Sequence, residues 1–191
     1  MRHGDSSVIV PALLLLLSLA SQLAAQRPQA ERLAPFVPSP QPVVERMLSA
    51  AELKPGETVF DLGCGDGRIL ITAAREFKAK GVGVELSRDL VRRAQDEVSR
   101  FGLQNRVTII QGDLLDVDLK PADVVTLYLL TDSNEKLKPL FERDLRRGAR
   151  VVSHDFMIRG WEPERIETVF ATHRMHSIYV YLMPPQRPQK K

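Results

Sequence analysis

Residues 58–68 read Thr-Val-Phe-Asp-Leu-Gly-Cys-Gly-Asp-Gly-Arg. A β-branched and aromatic run ends in the acid Asp61. Gly63, Gly65 and Gly67 follow at every second position, and a helical pattern starts at Arg68. Glycines so spaced let the backbone turn sharply and let a ligand come close to it. The helix behind them points unpaired N–H groups at that ligand. This is the geometry of a nucleotide-type cofactor site at the end of the first strand of an α/β sheet. The same three glycines also suit a plain strand-to-helix turn. Asp61 either ties the loop backbone together or touches the ligand, and Asp66 either meets the ligand or turns the loop.

The spacing narrows the ligand. A dinucleotide fingerprint has its third glycine three residues after the second, and Arg68 stands there. The Gly-Lys-Ser/Thr of a P-loop is absent. Gly81-Val82-Gly83-Val84-Glu85 reads as a buried second strand that ends in an acid, about 20 residues past the loop. A carboxylate there can accept hydrogen bonds from both hydroxyls of a ribose, although a solvated strand-end acid fits too. Ser87 caps a helix to about Phe101, with Leu90, Val91, Ala94 and Val98 on one face. A third strand from Val107 ends in Gly112-Asp113-Leu114, where Asp113 could equally form a turn.

These elements must be placed by strands further on. Ala122–Leu130 reads as a fourth strand and Gly148–Phe156 as a fifth. Glu164–Ala171 and His176–Met183 read as a closing pair. Strands alternating with helices imply right-handed crossovers. The expected fold is α/β: a doubly wound, Rossmann-like, mostly parallel seven-stranded sheet with a C-terminal antiparallel hairpin.

The pattern Asp-x-Gly-x-Gly-x-Gly resembles the first motif of class I S-adenosylmethionine (SAM) methyltransferases, and the resemblance extends from Pro35 to Met183. It implies SAM as cofactor. The loop would wrap the methionine end, Glu85 would hold the ribose, and Asp113 would read the adenine amino group. The implied cofactor-binding set is Asp61, Gly63, Gly65, Asp66, Gly67, Glu85, Asp113 and Leu114. A narrower likeness rests on Phe36-Val37-Pro38-Ser39-Pro40, Val43–Leu48, Thr126–Leu130 and Val151–Phe156. These are similar to the small family that includes the mitochondrial lysine methyltransferases of the adenine nucleotide translocase and of ATP synthase subunit c. That family implies N-methylation of a protein lysine. It also implies that Phe36–Pro40 is a lid over the methionine end of SAM, with a helix from Gln41 to Ala51 beside it; a plain linker is the other reading.

Methyl transfer is an in-line displacement in which the cofactor carries the reactivity and the protein aligns donor and acceptor. A lysine acceptor must first lose a proton. Tyr128, on the fourth strand, is the first candidate for the acceptor side, with a core aromatic as its other reading. His154 and Asp155 follow as candidates to line the acceptor pocket, and His154 also suits a structural hydrogen bond. The Asn/Asp-Pro-Pro-Tyr motif of base and amide methyltransferases is missing, with Thr126–Asp132 in its place. Asp132 is expected to cap the next helix, and Trp161 to wall a pocket or cover the surface. His173 and His176 flank the last turn without metal-ligand company, so no metal site is expected. A small-molecule N- or O-methyltransferase and a non-catalytic, membrane-tethered SAM-binding module are the alternatives.

A chain of 191 residues can bury one core. Its net charge of +3 is too small and too evenly spread to argue for nucleic acid. Arg92, Arg93, Arg146, Arg147 and Arg150 read as solvated. Val8 to Ala20 is almost wholly apolar, which suits a signal peptide or membrane anchor over residues 1–25. Membrane association is therefore expected, anchored or exported, on either side of the membrane. A Pro-rich linker and possible lid over 26–42, a SAM-binding domain over 43–183 and a disordered tail over 184–191 complete the reading. Cys64 stands alone and reads as a small filler of the loop.

Overall fold

A computed structural model describes residues 36–188. The expected signal or anchor segment, most of the linker and the last three residues lie outside them. The first element is helix α1 (Gln41–Ala50), which buries Val43, Val44, Met47 and Leu48 on one stripe. Strand β1 (Thr58–Leu62) leads through the glycine loop into α2 (Arg68–Glu76). Then follow β2 (Lys80–Glu85), α3 (Arg88–Arg100), β3 (Val107–Gln111) and a 3-10 turn (Leu114–Asp116). The chain continues with β4 (Val124–Leu127), α4 (Thr131–Asp144), β5 (Arg150–His154), β6 (Arg165–Ala171) and β7 (Arg174–Leu182).

The strands form one sheet in the order β3-β2-β1-β4-β5-β7-β6. β3, β2, β1, β4 and β5 run parallel, and β7 joins β5 and β6 antiparallel. Alternation along each strand sends side chains to two cores. Val59, Val124 and Val152 enter the core with α1 and α2. Phe60, Leu62, Val125, Leu127 and Val151 enter the other, with Leu137, Leu140 and Phe141 of α4. Burial on both faces makes the inner strands read as continuous apolar runs. The expected fold is the observed one. Strand order reverses direction between β1 and β4, and an open α/β sheet places its ligand crevice at that switch point, beyond the carboxyl ends. The glycine loop and Tyr128 both follow those ends.

Several details differ from the sequence reading. β4 stops at Leu127, so Tyr128 lies just past the strand rather than within it. The linker expected to run to residue 42 is already helix from Gln41, with Ser39 buried ahead of it. The tail is not disordered where it is described: Gln186 bridges to Glu162, whose N–H donates to the Gln186 carbonyl at 2.8 Å. Asp132 is inside the first turn of α4, ion-paired to Arg159 at 3.0 Å, and Leu130 takes the cap position. Trp161 is core, packed on Phe141 and Tyr181. Arg150 is not solvated. Its guanidinium forks onto Glu57 at 3.0 and 2.6 Å and donates to the Ala51 carbonyl, pinning β5 to the end of α1. Among the described residues no helix is long and apolar enough to cross a membrane.

Candidate active site

The loop after β1 turns by three left-handed glycines, Gly63, Gly65 and Gly67, at φ of +81°, +56° and +79°. Gly63 and Cys64 donate their N–H groups to the Val84 carbonyl, which folds the loop back on β2. Gly67 is the cap of α2, and an added Cβ would stand 3.3 Å from the Cβ of Ala94. Cys64 fills the space under the loop, where a Cβ at Gly83 would meet its sulfur at 2.6 Å. Burial pushes its thiol pKa up.

Glu85 ends β2 with both carboxylate oxygens engaged. Oε2 accepts from the Gly65 N–H at 3.1 Å and Oε1 from the Ser87 N–H at 2.8 Å. A carboxylate oxygen has two lone pairs, so each keeps one for a ligand hydroxyl. Asp61 is wholly enclosed beneath the loop and accepts from the Thr126 hydroxyl at 2.8 Å, across the β1–β4 register. Burial pushes its carboxyl pKa up to about 7, against the lowering pull of Thr126, with Asp66 and Glu85 adding repulsion. Asp61 thus ties β1 to β4.

Asp66 is turned from the loop toward α2. Its carboxylate takes two hydrogen bonds from Arg68, Nε at 2.9 Å and Nη2 at 2.7 Å. Burial alone would raise its pKa, but the Arg68 guanidinium outweighs that and holds it below the usual carboxylate range. The other Arg68 amine donates to the Ser39 carbonyl at 2.9 Å. The same arginine thereby fastens the segment ahead of α1 to the loop. Phe36 completes the contact: a Cβ on Gly65 would lie 2.4 Å from its ring, so the ring rests on the glycine itself. Asp113 caps the 3-10 turn, accepting from the Leu115 N–H at 2.9 Å, and Leu114 is buried in the second core.

On the other side of the switch point, Tyr128 stacks on His154, centroids 3.8 Å apart. Its hydroxyl is 3.4 Å from an Arg174 amine. Burial raises the phenol pKa and Asp155 raises it further, so it stays an O–H. His154, at the end of β5, is fully buried. Its Nδ1 meets the Ser39 hydroxyl at 2.9 Å and its Nε2 meets His176 Nδ1 at 2.8 Å. Burial lowers its pKa to about 4 and keeps the ring neutral. Asp155, at φ +60°, accepts from Arg174 at 2.6 Å and from the Ser177 N–H at 2.9 Å. These bonds outweigh burial and hold it below the usual range.

Sequence reasoning missed Ser39, Arg68, Arg174 and above all His176. His176 was given no ligand company, yet it stands beside His154 and Asp155. Only the antiparallel pairing of β5 with β7 brings these residues together.

Comparison with known proteins agrees with this geometry. Residues 61–165 match the ANTKMT methyltransferase domain family. The chain belongs to that family. It is 45% identical over 150 residues to a protein-lysine N-methyltransferase of Saccharolobus islandicus, spanning 78% of this chain and 93% of the relative. The mouse adenine nucleotide translocase lysine N-methyltransferase is 34% identical over 129 residues, and only 56% of its length is matched. Among solved structures, an RNA methyltransferase from Salinibacter ruber in complex with S-adenosyl-L-homocysteine (SAH) shares 43% identity. Its TM-score is 0.74 over 81% of this chain and 98% of that one. The methyltransferase reading, its cofactor and its fold therefore stand together.

Proposed function

We propose that this methyltransferase transfers the methyl group of SAM to the ε-amine of a lysine in a protein. The observation that carries the reading is the 45% identity to a protein-lysine N-methyltransferase over 93% of that relative's length. The crevice suits the cofactor: the glycine loop offers backbone in place of side chains, and Glu85 keeps lone pairs for the ribose hydroxyls. Gly63, Gly65, Gly67, Glu85 and Asp113 would hold it, with Phe36 closing over the loop. Bound there, SAM supplies an electrophilic methyl.

The rest belongs to the chain. Tyr128 presents a neutral hydroxyl at the crevice, fixed by the stack on His154 and by Arg174. Its oxygen can accept from the incoming amine and direct the nitrogen lone pair at the methyl carbon. Asp155 holds the Arg174 guanidinium that meets the Tyr128 hydroxyl, and the proton of the lysine ammonium leaves to water before transfer.

RNA is the second reading, favoured by the Salinibacter protein's designation. The net charge of +3 opposes it, because backbone binding to nucleic acid relies on many cationic contacts. The experiment is to incubate the chain with methyl-labelled SAM and cell lysate. Label that survives nuclease and is lost to protease supports lysine transfer. Label lost to nuclease overturns it, and label found in neither fraction points to a small molecule. The apolar run Val8–Ala20 supports tethering to a membrane on the side that holds SAM. An alkaline wash of membranes, releasing the chain, would overturn that placement.

A further inference from the structure

Three donor atoms converge behind Tyr128. His154 Nε2 is 2.8 Å from His176 Nδ1, and each is 3.3 Å from Asp155 Oδ2. Both imidazoles are buried and the carboxylate is nearly so. Three donors each about 2.0–2.1 Å from one tetrahedral ion lie roughly 3.3 Å apart, which two of these separations match, while the third is shorter. The outer contacts follow the same plan. His154 turns its other nitrogen to the Ser39 hydroxyl, and His176 turns its other nitrogen to the Thr172 hydroxyl at 3.3 Å. The second Asp155 oxygen is held by the Ser177 N–H. Such outer hydrogen bonds fix the tautomer and aim of metal-ligating histidines.

We propose that His154, Asp155 and His176 form a binding site for a divalent transition ion, with Zn2+ as the natural probe. The site goes beyond the methyl-transfer reading and does not rest on it. With the outer nitrogens protonated toward Ser39 and Thr172, the two inner nitrogens and the carboxylate oxygen turn lone pairs on one another. A cation between them resolves that. Without one, a proton moves inward and the histidines share it. Neutral imidazoles are what a metal requires, and the Ser39 and Thr172 hydroxyls stand where the outer nitrogens can keep their protons.

One group competes. The Arg174 guanidinium lies 2.6 Å from the same Asp155 oxygen and is half-exposed. It serves as the positive charge at the cluster and must swing outward for an ion to enter. The ion would clamp β5 to β7 behind the acceptor side, with Tyr128 stacked on one of its ligands.

The test uses the full, untagged chain. It is stripped with chelator, equilibrated with Zn2+, freed of excess and assayed for metal content and thermal midpoint. About one retained equivalent and a raised midpoint are expected, both lost in His176→Gln. Asp155→Asn is nearly isosteric, and the midpoint of its zinc-free form, read beside that of the stripped wild type, separates loss of Zn2+ from a folding defect. Ser39→Ala, which removes only an outer bond, should weaken Zn2+ about 10–100-fold. Arg174→Gln should tighten it. Wild-type chain with no retained zinc and no midpoint shift would leave a shared proton as the sole occupant and overturn the site. So would zinc that is retained equally by His176→Gln and Asp155→Asn, since it would then lie elsewhere.

Discussion

Glu85 holds two backbone N–H groups, and its spare lone pairs are the ones proposed above to take the ribose. Consider Glu85→Gln, which keeps size and shape. The amide has one oxygen where the carboxylate had two, so it can accept from the Gly65 N–H or the Ser87 N–H but not both; its NH2 then faces a donor. Each hydrogen bond to the carboxylate is charge-assisted and worth about 1.5–3 kcal/mol. Losing one leaves the fold weaker by that amount, and a chain of this size loses roughly 2–4 °C of melting temperature per kcal/mol. The ribose loses charged acceptors as well. SAM and SAH affinity should fall at least about tenfold, more than stability alone explains. Calorimetry with SAH at a temperature where the variant is fully folded isolates the binding part. Unchanged affinity in a folded variant would show that Glu85 only shapes the loop and that the ribose is held by other groups.

Gly65→Ala should weaken SAH binding, from left-handed strain of about 1–2 kcal/mol and from the clash with Phe36. The loss should shrink in a Phe36→Ala background, and equal losses in both backgrounds would mean that Phe36 does not press on the loop. If the hydroxyl acts on the acceptor as proposed, Tyr128→Phe should slow single-turnover methyl transfer at least about tenfold while SAM affinity holds; a full rate would remove the hydroxyl from the mechanism and turn attention to His154 and Asp155. The pH profile should show two opposed slopes. His154 has its folded pKa lowered from 6.5 to about 4, so the unfolded chain binds the extra proton and stability is lost as pH falls through that window, by about 3 kcal/mol. Asp61 is raised from 3.8 to about 7, so the folded chain binds the extra proton and stability falls as pH rises, by about 4 kcal/mol. Denaturation from pH 4 to 7 of chain stripped of metal should be nearly flat in wild type and should slope downward with rising pH in His154→Gln. A wild-type profile as steep as the variant's would sink the assignment.

The glycine loop was legible because its conformation is local: alternate left-handed positions need glycine, and the helix begins at once. Glu85 was legible from its distance along a βα unit, and its place beside the glycine loop followed from the two together. The ends of strands were less so. Tyr128 continues the apolar pattern of β4, and nothing local marks that pairing stops at Leu127. Asp66 stayed open between meeting the ligand and turning the loop, because the Arg68 partner it takes is not written in the loop; that side chain could have pointed anywhere. The cluster behind Tyr128 was least legible. His154 and His176 meet because β7 runs back beside β5, and Ser39 reaches His154 from the segment ahead of α1. Sequence separation hides both contacts, and no spacing rule covers them.

The enclosed sulfur of Cys64 has a practical side. It is the only thiol in the chain, it lies sealed under the glycine loop, and burial pushes its pKa up. Reagents that attack thiolates have little to react with, so the wild-type chain behaves as a cysteine-free background. A cysteine introduced at Val37, which is 55% exposed beside Phe36, would be the single reactive handle. A fluorophore placed there would report whether the segment ahead of α1 moves when the cofactor binds, readable in solution without any mutation of the loop itself.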